Sequence, residues 1–308
     1  MKAKAKGMRR LATALAAGLT TAAMAVPALA QNVGKPTDGG IALQPSAAPL
    51  KADAIWFHDI VLLPIITMIT LFVLGLLIWV MVRYNKRSNP VPAKFSHNTA
   101  IEVIWTLVPV LILMVIAIFS FKLLFAYHDM PKPALTVKAI GYQWYWGYEY
   151  PDQEIAEITS TMLSEEEVAA KGLGSDLYRL AASEPLVVPV NKVVRVQVTA
   201  VDVIHNFAMP AFGLKTDAVP GRLNETWFKA DRIGTFYGQC SELCGVKHAF
   251  MPIEIKVVSQ GDFDAWVASK KAPPAPAATA AAPDASAPAV TPTAAPAAPV
   301  GAAQAAKL

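Results

Sequence analysis

The chain has 308 residues, 54% of them hydrophobic and 16% charged, a balance that leans toward a membrane protein. Its formal charge of +4 misleads, because Lys2, Lys4, Lys6, Arg9 and Arg10 sit in residues 1–30, which hold no acid. Without those five, 22 bases face 23 acids, and a nucleic-acid partner has no support from charge.

Residues 1–30 read as a secretory signal, with a basic start, an apolar run over 11–26 and a small-residue site at Ala28-Leu29-Ala30. A first transmembrane helix fits less well, since the run is short, rich in Ala and Thr, and followed by a polar Gly/Pro stretch. Residues 31–54 then form an N-terminal extracytoplasmic segment. Residues 60–82 carry no charge over 23 positions, about 35 Å of helix against a bilayer core of about 30 Å. Residues 103–121 are likewise uncharged, with Lys122 placed to snorkel. The two predict a transmembrane hairpin within residues 55–130. Arg83, Lys86, Arg87 and Lys94 lie between them, with Glu102 the nearby acid, and short basic loops stay in the cytoplasm. Both ends of the mature chain are therefore expected on the extracytoplasmic, periplasmic side of a cell (inner) membrane.

After Pro131 and Pro133 the pattern becomes alternating. Val194, Val196, Val198 and Ala200 alternate with Arg195, Gln197 and Thr199, which predicts a strand with one wet face. Ile253, Ile255 and Val257 repeat the pattern, and residues 225–237 predict a hairpin with Gly234 near its turn. Short strands broken by Gly, Pro and Asn predict an all-β sandwich over residues 131–271. Residues 272–308 are rich in Ala and Pro with only Asp284 and Lys307 charged, and predict a disordered tail.

Three groupings carry chemistry. Residues 141–150 place six aromatics in ten positions, which suits an interfacial belt or a β core. Residues 149–184 hold nine acids against Lys171 and Arg179, as an acidic solvated insertion would. The stretch Cys240-Ser241-Glu242-Leu243-Cys244-Gly245-Val246-Lys247-His248-Ala249-Phe250-Met251 holds both cysteines of the chain, an imidazole and a thioether, with His205 available upstream. A disulfide is open to an exported protein but leaves His248 and Met251 unexplained. A zinc site from His205, Cys240, Cys244 and His248 has a valid ligand count but no use for Met251. Copper fits better, since thiolate, imidazole and a weak axial methionine are its ligands, and two thiolates can bridge two ions.

This loop, with Asp202-Val203-Ile204-His205, closely resembles the CuA site of cytochrome c oxidase subunit II, and the resemblance extends from about residue 55 to 266. It implies two spans followed by a cupredoxin-like Greek-key sandwich, and a protein embedded in the membrane beside subunit I and other oxidase subunits. Electrons would pass from cytochrome c to a dinuclear copper centre and on to haem in subunit I, where oxygen is reduced to water and protons are pumped. Cys240 and Cys244 would bridge the coppers, His205 and His248 would bind one each, and Met251 and the carbonyl of Glu242 would be axial ligands. The Glu242 carboxylate would point to a Mg2+ shared with subunit I. Trp144 would be where electrons enter, and Glu102 the mouth of a proton path. The acidic stretch becomes a docking face for cytochrome c, with Glu149, Asp152 and Asp202 nearest, and residues 213–222 would face the partner subunit. The rivals are a membrane-anchored copper-delivery protein and a zinc-stabilised binding module without redox function. A nitrous-oxide-reductase-type domain has no need of the two-helix anchor.

Overall fold

The computed structural model describes residues 34–271; the predicted signal segment 1–30 and the tail 272–308 lie outside the described residues. The first helix, α1, runs over Pro49–Arg83, with a wide π-turn at Phe57–Leu62 just before Pro64. Pro64 has no N–H to give the preceding turn, and the wider turn absorbs that lost bond. The second, α2, is Thr99–His128, longer at both ends than the uncharged run predicts. Asn98 caps it by accepting from the Ile101 amide, while the Glu102 carboxylate accepts from the Asn98 amide 3.1 Å away. This reciprocal cap gives Glu102 a structural task at the helix start. Trp56 and Phe57 meet Phe119 where the helices approach. Elsewhere both helices turn apolar side chains outward.

Ten strands follow: β1 Leu135–Tyr142, β2 Tyr145–Tyr150, β3 Ile155–Ser160, β4 Leu186–Pro189, β5 Val193–Ala200, β6 His205–Met209, β7 Leu214–Ala218, β8 Asn224–Lys229, β9 Gly234–Cys240 and β10 Pro252–Val258. They form two five-stranded sheets, ordered β3-β2-β1-β5-β8 and β4-β10-β9-β6-β7. Most neighbours are antiparallel, but β1 runs parallel to β5 and β4 to β10. The alternation over 193–200 behaves as its pattern predicts. Val194, Val196 and Val198 are fully buried, and they face Met209, Ile253 and Ile255 from the other sheet in one core.

The expected 225–237 hairpin is not formed. Strand β8 belongs to the first sheet and β9 to the second, so the connection crosses the sandwich. The reason is aromatic packing: Phe228 stacks on Phe212 at 4.6 Å between centroids and Phe236 meets the same ring at 4.8 Å. A flat hairpin could not bring both rings onto one partner from opposite sheets. Helix α4, Gln260–Lys271, closes the domain by burying Phe263 and setting Trp266 against Tyr150.

Residues 161–184 leave the sandwich between β3 and β4. Glu165, Glu166 and Glu167 are exposed, as an acidic insertion should be, on the short helix α3 (Glu165–Ala170), which Ser164 and Glu167 cap reciprocally. The underside is apolar: Leu163, Val168 and Ala181 pack with Tyr237 of β9 in a second small core.

Candidate metal centre

The ends of two neighbouring strands and one loop build the site. Cys240 ends β9, His205 begins β6, and Cys244, His248 and Met251 come from the loop that leads into β10. The pairing of Phe207 with Cys240 across β6 and β9 brings the first thiol beside the first imidazole. His205, Cys240 and Cys244 are all buried, with ligand atoms within 4.8 Å of one another. His205 Nδ1 lies 3.9 Å from Cys240 Sγ, the two sulfurs are 3.8 Å apart, and Cys244 Sγ is 3.6 Å from both His248 Nδ1 and Met251 Sδ. The Glu242 carbonyl oxygen is 3.4 Å from Cys240 Sγ.

These separations decide between the readings of the cysteines. A disulfide needs sulfurs about 2.05 Å apart, and both cysteines are free. Donors sharing a metal at about 2.0–2.3 Å stand roughly 3.5 Å from each other, which is the spacing found. Met251 is 1% exposed and turned into the cluster, where a structural zinc would leave it idle. Thiolate, imidazole and thioether together fit copper.

The electrostatics ask for a cation. Burial opposes ionisation of Cys240, but hydrogen bonds, that from His205 foremost, outweigh it and bring the thiol below its ordinary range. Burial pushes the Cys244 thiol up, and the charge on Cys240 adds to the shift. Two adjacent buried thiolates are thus unfavourable until a metal compensates them, and metal binding would release the remaining proton.

A surrounding layer holds the donors. Asp202 Oδ1 is 2.9 Å from His205 Nε2, and the same carboxylate accepts from the amides of Gln143 and Val203. Trp144 sits in the turn between β1 and β2. Its Nε1–H and the Gln143 side-chain Nε2–H both donate to the Cys244 carbonyl, at 3.2 and 2.8 Å. Trp146 Nε1–H donates to the Met251 carbonyl at 3.4 Å. Gly245, at φ +124, lets the loop pass under Trp144, where a Cβ would come within 2.8 Å of the indole.

The remaining candidates are placed unevenly. The Glu242 carboxylate is exposed. Glu149 pairs with Lys138 at 3.2 Å on the hairpin face. Asp152 accepts from the Thr136 amide, at the far end of β1 from Trp144. Six residue steps along the strand lead from Thr136 to Tyr142, about 20 Å. Asp152 is therefore not brought to the Trp144 turn, whereas Glu157 is, accepting from the Tyr142 hydroxyl at 2.9 Å. Strand pairing, which the sequence alone does not show, sets Glu157 beside β2, with its carboxylate over Gly147 and in reach of Tyr142. Orienting roles for Asp202 and Gln143 were also missed, and the Asp-x-x-His spacing was the available signal for the first. Residues 213–222, expected to face a partner, help line an open cavity of about 770 Å³ with Leu124, Tyr127 and His128.

The family model described as cytochrome c oxidase subunit II, periplasmic domain, matches residues 135–258, and that for the transmembrane domain matches residues 36–123. A probable cytochrome c oxidase subunit 2 of Rickettsia bellii is 51% identical over 237 residues, covering 77% of this chain and 86% of the relative. Cytochrome c oxidase subunit 2 of Cereibacter sphaeroides is 46% identical over 268 residues, covering 82% and 88%. The crystal structure of the periplasmic domain of subunit II of cytochrome oxidase of Bradyrhizobium japonicum is 56% identical, with a TM-score of 0.42, covering 46% of this chain and 96% of that one. With its two apolar spans and its C-terminal sandwich bearing copper-type ligands, this chain belongs to the cytochrome c oxidase subunit II family and is a membrane-bound subunit of that oxidoreductase.

Proposed function

We propose that the centre is a dinuclear CuA site, that the subunit receives single electrons from cytochrome c, and that it passes them to haem in subunit I. Cys240 and Cys244 would share both ions, with His205, His248, Met251 and the Glu242 carbonyl completing the set. The observation that carries this reading is the continuous series of donor separations from 3.4 to 3.9 Å around two unbridged thiols. When bound, the copper pair supplies reversible one-electron chemistry.

This chain's own residues do the rest. The strands hold the donors in place across both oxidation states, which keeps reorganisation small. Asp202 fixes the His205 ring, and the packed core excludes water from the thiols. Trp144 spans from the hairpin turn to the Cys244 carbonyl, which supports its role as the point where electrons enter. Asp202 and Glu157 flank that turn, and Glu149 lies further along the same face. With Asp152 more remote, these acids would steer a basic cytochrome c, a rate effect that salt screens.

The exposed Glu242 carboxylate suits a hard Mg2+ shared with subunit I. Glu102 would open a proton path there, and the cavity beside His128 would be covered by that subunit. With the basic loop after α1 on the cytoplasmic side, the metal domain would lie on the periplasmic side of the inner membrane, as would both ends of the mature chain. The mature chain would comprise residues 31–54, the hairpin 55–130, the copper domain 131–271 and the tail 272–308. In the assembled oxidase, Trp144→Phe at parental copper content should slow cytochrome c oxidation on the order of tenfold. Parental turnover would remove Trp144 from the path, and zinc in place of copper would overturn the whole reading.

A further inference from the structure

We propose that the 161–184 insertion is a brace for the metal loop, acting through Arg179, a positioning residue whose guanidinium lies over Phe250 between the ligands His248 and Met251. The inference rests on the copper reading of the site and goes beyond it.

The insertion is tied off at its neck, where the Ser183 amide donates to the Thr161 carbonyl at 2.8 Å and the two hydroxyls meet at 3.1 Å. From there it reaches both strands that flank the metal loop. On the β9 side, Tyr237 completes the small core of Leu163, Val168 and Ala181, and Gln239, next to Cys240, donates to the Arg179 carbonyl at 3.3 Å. On the β10 side, the Ala182 amide donates to the Glu254 carboxylate at 2.8 Å. Between these anchors Arg179 has φ +67, an αL conformation uncommon for a side-chain-bearing residue. Its guanidinium centre stands 4.7 Å from the Phe250 centroid and 5.3 Å from the Tyr178 centroid.

Phe250 belongs to the short turn His248–Phe250, so fixing its ring fixes the backbone that carries one ligand before it and one after it. A merely solvated acidic insertion needs no cation there. Lying over the ring of a residue flanked by two ligands, Arg179 slows the loop from opening and so slows metal loss.

The test uses the purified full oxidase complex with parental, Arg179→Leu, Arg179→Lys, Phe250→Leu and doubly substituted Arg179→Leu/Phe250→Leu subunits. Copper loss to a chelator and the hyperfine pattern of the centre by electron paramagnetic resonance are measured on each. Removing a surface cation from an aromatic face should speed copper loss about 2- to 5-fold in Arg179→Leu. Phe250→Leu should do at least as much, the double substitution should add nothing to the worse single one, and Arg179→Lys should stay near parental. The hyperfine pattern should shift in the two Leu variants and hold in Arg179→Lys. A parental rate and pattern in Arg179→Leu, or single effects that multiply in the double variant, overturn the brace while leaving the copper reading intact. A parental complex without copper overturns both.

Discussion

Asp202 Oδ1 stands 2.9 Å from Nε2 of His205, while the other ring nitrogen faces the sulfur of Cys240. The carboxylate therefore sets which nitrogen would face a bound metal, and burial, which would raise its pKa, is outweighed by the hydrogen bonds from His205, Val203 and Gln143. Orienting partners of this kind are typically worth about 10–100-fold in metal affinity. Asp202→Ala should weaken copper binding by that range in chelator competition, with the sandwich still folded. Asp202→Asn, which keeps an acceptor oxygen, should lose less.

The other face of the same ring is just as constrained. An alanine Cβ at Gly141 would lie 2.8 Å from His205 Cδ2 and 3.0 Å from Cγ. His205 is fully buried and engaged at both nitrogens, so the ring can yield only by leaving Cys240. Overpacking of this kind costs about 1–3 kcal/mol. Gly141→Ala should bind copper more weakly than the parent, and equal affinity would show that the ring has room to shift.

A pH effect is expected at the insertion. Burial raises the Glu254 carboxyl above its ordinary 4.5, with the Ala182 amide and two lysines working against the shift. A raised folded value means the unfolded state ionises first. Stability is therefore complete below about pH 4.5 and declines as pH rises through the folded value. Glu254→Gln retains an acceptor for Ala182 without the charge. Hydrogen exchange over residues 162–183 should be slower in this variant than in the parent at pH 7, and the difference should vanish near pH 4. Faster exchange in the variant at neutral pH would mean the charge itself stabilises the contact.

Local pattern carried much of this architecture. The uncharged runs gave both spans because each is long enough and apolar enough to cross a bilayer. The alternation at 193–200 and at 253, 255 and 257 gave strands because each has one wet face. The candidate donors Cys240, Cys244, His248 and Met251 were visible because they are close in sequence and chemically distinctive. Long-range pairing was not visible. That 225–237 would split between sheets depends on Phe212, which meets both of its phenylalanines from outside the segment. Helix α4 was missed because its polar face hides the two aromatics, Phe263 and Trp266, that dock it. Glu157 reaches the Trp144 turn, and Asp152 does not, through the register of β1, β2 and β3, which no short window encodes. The insertion showed its acids but not its underside, whose partner Tyr237 lies far along the chain.

The most direct test of the central claim is metal analysis combined with electron paramagnetic resonance on the purified oxidase, supplemented by the same measurement on Cys240→Ser and Cys244→Ser variants. Two coppers per subunit at this centre are expected, with one unpaired electron spread over both nuclei, and either serine substitution should abolish that shared signal. A single copper with its spin on one nucleus, or zinc with no signal, would contradict the account.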